Sequence, residues 1–136
     1  MKTKKYLTLL IIGICIVLFS GCRSVSSIRD VSLSEGPSQV FNADYNKVLK
    51  VIPEAISESG ISIEETKQID DKTYMIIGEK SADAFQWGSV VRVIIEKTSK
   101  NKTTVRVYTQ KKQALNITAR GDFSKAIFSN IELKLR

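Results

Sequence analysis

Histidine is missing from this chain altogether. Its absence removes the commonest general base and the commonest metal ligand. Only two cysteines occur, Cys15 and Cys22, and both fall in the first 22 residues. The remaining 114 residues therefore hold no thiol for nucleophilic chemistry, a zinc site or a disulfide. Tryptophan occurs once, at Trp87, and proline twice, at Pro37 and Pro53. The longest uncharged, mostly apolar run is residues 6–19, shorter than the roughly 20 residues of a comfortable membrane span. No phosphate loop, nucleophile elbow or metal cluster stands out, and no internal repeat is visible. The carboxylate pairs Glu64-Glu65 and Asp70-Asp71 fall on a strand and in its turn, where solvent is the expected environment. The sequence thus predicts no catalytic residues, no bound metal, no cofactor and no enzymatic activity.

What the chain does contain begins with its leader. Lys2, Lys4 and Lys5 form a positive cluster, the apolar run 6–19 follows, and Ser20 and Gly21 are small. Charge, grease and small residues in that order make a secretory signal. Leu18-Phe19-Ser20-Gly21-Cys22 then resembles the signal of bacterial lipoproteins, in which an aliphatic residue and two small ones precede a cysteine. Phe19 stands where leucine is commonest in that pattern. The resemblance covers residues 1–22. It implies removal of residues 1–21 and lipidation of Cys22 with a diacylglyceryl group and, usually, an amide-linked acyl chain. Two or more chains anchor a protein stably, at about 0.8 kcal/mol per buried methylene. Arg23 follows the cysteine, where aspartate commonly marks inner-membrane retention in Gram-negative lipoproteins. The implied address is the periplasmic face of the outer membrane, or the outer face of the plasma membrane in a Gram-positive cell.

Removal of the leader leaves 115 residues, enough for one domain. Residues 22–39 are serine-rich, with Gly36-Pro37 near the end, and read as the lipidated cysteine followed by a flexible linker. Fully extended it reaches roughly 55 Å. The alternative is that Ile28, Val31 and Leu33 lie against the domain. Residues 40–136 read as the single domain.

That domain opens with a helix. Asn42 is placed to cap it and Phe41 to pack on its first turn. Tyr45, Val48, Leu49, Ile52, Ala55 and Ile56 recur at the helical period, and Gly60 supplies a stop. Pro53 predicts a bend. The period then changes to two. Strands are predicted over 61–69, 73–80, 87–98 and 103–110, joined by polar turns, with a short further strand over 114–118 and an edge contribution from Val40-Phe41. Val91, Val93, Ile95, Val105 and Val107 point inward. Arg92, Glu96, Arg106 and Tyr108 point outward, together with the mildly apolar Val90 and Ile94. A last helix begins at Asp122 and repeats Phe123, Ile127, Ile131 and Leu135. The prediction is an α+β two-layer sandwich: an antiparallel sheet of four or five strands with the N-terminal and C-terminal helices on one face. In size and element order this loosely resembles small α+β domains of bacterial envelope lipoproteins, including families of unknown function. That likeness carries no residue roles.

Charge is unevenly spread. Residues 22–96 hold eight basic and twelve acidic residues, whereas residues 97–136 hold ten basic and two acidic, a net of +8. Lys97, Lys100, Lys102, Arg106, Lys111, Lys112, Arg120 and Lys125 are the candidate anion contacts, for lipid headgroups, lipopolysaccharide phosphates or wall polymers. A solvated face is the plainer reading of the same residues. Phe85-Gln86-Trp87-Gly88 is a candidate aromatic anchor or core plug. The expected role is a membrane-anchored accessory or protein-interaction module of the envelope. The alternative is a binder of anionic lipid or cell-wall polymer, and nucleic acid is not an expected partner.

Overall fold

The computed structural model describes residues 25–82, 88–112 and 122–136. The leader, Cys22, the aromatic loop Phe85-Gln86-Trp87, the short strand expected over 114–118 and Arg120 lie outside the described residues.

The described chain runs α1 (Val25–Arg29), β1 (Ser38–Phe41), α2 (Tyr45–Glu58), β2 (Ser62–Asp70), β3 (Thr73–Lys80), β4 (Ser89–Ser99), β5 (Lys102–Lys111) and α3 (Ser124–Leu135). The five strands form one antiparallel sheet in the order β1-β5-β4-β3-β2. Short polar turns join β2 to β3 and β4 to β5, so these strands pair with their sequence neighbours. β1 joins the far side of β5, with Ser38 opposite Arg106 and Phe41 opposite Thr103. The fold is α+β, as the change of period from helical to alternating predicts.

One face of the sheet carries Ile76, Val91, Val93, Ile95, Val105 and Val107 and is covered by α2 and α3. Phe41 and Phe128 meet there edge to face, with centroids 6.2 Å apart. The α2 stripe buries Val48, Ile52, Ala55 and Ile56, and α3 buries Ile127, Phe128 and Ile131. Asn130 ties the two helices together through Nδ2, which donates to the Ala55 carbonyl at 3.2 Å and to Ser59 Oγ at 3.1 Å.

The caps explain where the helices begin and end. Asp44, not Asn42, caps α2: its Oδ1 accepts from Lys47 N–H at 3.0 Å. Phe41 is still strand, so the chain uses Asn42 and Ala43 to turn off the sheet. Thr103 Oγ1 holds that corner by donating to the Ala43 carbonyl at 2.9 Å. Phe41 accordingly packs in the core and not as a staple on the first turn. At the other end Gly60 adopts φ +77°. Gly60 N–H bonds to Ser57 and Ile61 N–H to Ile56, the paired closing bonds of a Schellman motif. Pro53 sits inside one continuous helix. Asp122 serves the start of α3, its Oδ1 accepting from Ser124 N–H at 2.8 Å.

The flexible linker assigned to residues 22–39 requires correction over its described residues, 25–39. Residues 25–29 form a helical turn, Ile28 is fully buried, and 38–41 are sheet. From Ile28 to β1 the backbone is held at the carbonyls of Ile28, Val31, Ser32, Gly36 and Pro37. The reason is the second face of the sheet. Met75, Ile77, Val90 and Ile94 are apolar there, and Ile28 with Val25 covers them. A sheet apolar on both faces needs two covers, so the sandwich gains a thin third layer.

Candidate functional site

The seven candidate anion contacts that fall on described residues do not converge. Lys97, Lys100 and Lys102 are exposed at the β4–β5 turn. Lys111 and Lys112 lie at the opposite end of β5, nine residues and roughly 30 Å of extended strand from Lys102. Lys125 belongs to the first turn of α3, whose neighbour Phe123 donates its N–H to Thr109 Oγ1 at 3.4 Å, so it shares that second end. Arg106 lies between the ends, and its Nη1 donates to the Gly36 carbonyl at 3.0 Å. Lys112 pairs with Glu79. The described lysines of the basic C-terminal half thus form two separated clusters, not one surface.

Arg92, expected to face solvent, is fully buried. Alternation places it on the second face as read, but the N-terminal segment lies on top. Its Nη1 donates to the carbonyls of Ile28 at 3.1 Å and of Val31, and Nη2 donates to Ser32 at 2.6 Å. The guanidinium carbon sits 5.6 Å from the centre of the Tyr108 ring, within cation–π range. Nε has no hydrogen-bond partner, and among the described residues Arg92 forms no ion pair. Burial pushes the guanidinium below its ordinary value, while Tyr108 and then Glu35 pull it back. The site fixes a segment in place, and the sequence signal for it was the apolar character of Val90, Ile94 and Tyr108.

The two sheet edges differ in a way that bears on partners. β2 is a nine-residue edge carrying Glu64, Glu65 and Lys67. Its register shifts twice, between Ile63 and Glu65 and between Gln68 and Asp70. Charges and bulges are the usual means of blunting an edge. β1 has neither: Ser38, Gln39, Val40 and Phe41 are uncharged, its pairing with β5 is regular, and Val40 is 54% exposed. Beside it lies an open concavity of about 310 Å³, lined by Gln39, Val40, Phe41 and Asn42 on one side and Glu132, Leu135 and Arg136 on the other. Gln39 Nε2 donates to Glu132 Oε1 across its floor. Among the described residues no strand pairs with the outer side of β1, so the arrangement offers strand backbone, an apolar side chain and both signs of charge within one recess. Sequence reasoning named Val40-Phe41 as an edge strand but missed the contribution of α3, which is distant in the chain.

Among the described residues, no group of three or more Asp or Glu is placed to hold a metal ion, and no helix is long and apolar enough to cross a membrane. In comparisons with known proteins, no family model and no curated protein matches the chain.

Proposed function

We propose that this chain is a bacterial envelope lipoprotein, anchored through Cys22, whose domain is a non-enzymatic module that recruits another envelope protein by strand addition to β1. The observation that carries the reading is the contrast between the edges: β2 is charged and bulged, β1 uncharged, regular and open beside a recess. Strand addition takes its affinity from main-chain hydrogen bonds and its specificity from adjoining pockets. The lipobox-like Leu18-Phe19-Ser20-Gly21-Cys22 supports the anchor, and Arg23 supports an outer-membrane address in a Gram-negative cell. The absence of histidine and of any second mature thiol supports a binding role over a catalytic one. The separation of the lysines into two clusters gives no support to a single polymer-binding face.

The test has two arms. Cys22→Ser is expected to release the protein from the membrane fraction or block its maturation; unchanged fractionation and gel mobility refute the anchor. A photo-crosslinking residue at Val40 is expected to trap one discrete adduct in living cells, whereas one at Lys67 on β2 does not. Adducts of equal yield at both edges, or at neither, refute the β1 docking.

A further inference from the structure

Packing of the N-terminal segment changes what a lipid on Cys22 would do. Only Arg23 and Ser24 separate that cysteine from Val25, the first described residue, which packs on the domain. Ser27 Oγ donates to Gln110 Oε1 at 3.1 Å, Ile28 is fully buried, and Arg29 pairs with Glu65 of β2. α1 therefore crosses the second face from the C-terminal end of β5 towards β2. The chain reaches the domain beside Gln110, with Lys111 and Lys112 next to it. The stem of three peptide links spans no more than roughly 10 Å, against the roughly 55 Å available to an unpacked 22–39 segment. A rigid body on so short a stem is not free to tumble. Arg23 lies in the stem, and Lys111 and Lys112 stand at this end of β5, Lys112 paired with Glu79. Basic residues next to a bilayer are drawn to anionic headgroups, each by about 1 kcal/mol. The turn at Lys100 and Asn101 is at the other end of the strands.

We infer that the anchored domain is held upright against the membrane, with the Gln110–Lys112 end of β5 on anionic lipid headgroups and the Lys100-Asn101 turn directed away. The inference rests on the lipid-anchor reading and deepens it. It leaves β1, beside the turn-proximal half of β5, clear of the bilayer for a partner.

The experiment uses the lipidated full chain in phosphatidylglycerol-containing vesicles that display a nickel-chelating headgroup. Spin labels are attached in Lys111→Cys and Lys100→Cys variants, and nickel-induced relaxation is read for each. The expected result is strong relaxation enhancement at position 111 and little at position 100. Inserting a Gly/Ser spacer of about ten residues between Ser24 and Val25 is expected to lose most of the enhancement at 111. Equal enhancement at both positions, a reversed order, or indifference to the spacer overturns the orientation. Intact-mass analysis of the same preparations separates the two levels. Lipidated protein with equal enhancement refutes the orientation alone, whereas an unmodified Cys22 refutes the anchor and the orientation together.

Discussion

Arg92 Nη1 donates to the carbonyl oxygen of Ile28 at 3.1 Å, joining the centre of the sheet to a segment 64 residues earlier. The same guanidinium reaches Val31 and Ser32. Those carbonyls belong to backbone that lies in no strand, and a buried carbonyl without a donor is costly. A single arginine supplies three of the donors this segment needs. Its charge is retained under Tyr108 without an ion pair among the described residues.

The first prediction concerns that residue. Arg92→Met keeps most of the side-chain volume and removes a buried charge whose Nε is unpaired. Replacing buried charge by well-packed apolar volume is often neutral or stabilising, but three carbonyls are orphaned. Global stability is expected to fall by no more than about 2 kcal/mol. Amide exchange in residues 25–37 is expected to accelerate strongly, while α2 and α3 keep their protection. Hydrogen exchange resolved by residue checks this. Uniform loss of protection across the domain would show that Arg92 holds the whole core and not the segment.

A second prediction separates a packed segment from a tether. Ile28 is fully buried, whereas Leu33, five residues on, is 41% exposed. Ile28→Ala leaves a void against Met75, Ile77, Val90 and Ile94 and is expected to destabilise the domain by about 2–4 kcal/mol. Leu33→Ala is expected to change it by less than about 1 kcal/mol. Urea unfolding of both variants gives the comparison. Equal, negligible effects would mean that residues 25–37 contribute nothing to the fold.

These two residues also mark where the sequence stopped being legible. The hairpins and both long helices follow from local pattern: β5 alternates, with Thr103, Val105 and Val107 buried between more exposed neighbours, and Ile127 to Ile131 repeats at helical spacing. The N-terminal segment offers no such pattern. Its serines suit a linker, and a single isoleucine at its centre is too little for a period. The information lay instead in the strands, because Met75, Ile77, Val90 and Ile94 cannot face water as a group. Arg92 was misplaced by its charge, since alternation gives a face but does not say what covers it. The β1 recess depends on α3 closing beside residues 39–42, a tertiary relation with no local signature.

A third prediction follows from the entry into β1. Gly36 has φ +97°, and a Cβ there would lie 2.2 Å from the Val107 carbonyl oxygen. Both the backbone conformation and the space exclude a side chain. Next to it, Pro37 O accepts from Val107 N–H at 2.9 Å. Gly36→Ala is expected to cost about 1–3 kcal/mol and to displace β1 from β5. In the anchored protein it should also weaken crosslinking from Val40, because the edge is no longer presented. Full stability with undiminished crosslinking would contradict the role given to β1.

The last prediction uses pH. Lys134 Nζ lies 2.8 Å from Glu58 Oε1 and 3.0 Å from Glu54 Oε1, tying the end of α3 to α2. The hydrogen bond to Glu58, then that to Glu54, holds the ammonium above its ordinary value. A pKa raised by folding means that the folded state binds the proton more tightly. The stabilisation is therefore complete at neutral pH, below the ordinary lysine value of about 10.4. It is lost as pH rises through the higher folded value. Lys134→Met removes the proton-binding group while keeping the aliphatic stem. The melting temperature of the wild-type chain is expected to exceed that of Lys134→Met at pH 7, by a small margin that salt reduces, because surface pairs are screened. The margin should close as pH rises through the raised folded value. A difference that persists unchanged at high pH would assign the effect of the substitution to packing of the stem, and the two ion pairs would then contribute nothing to holding α3 on α2.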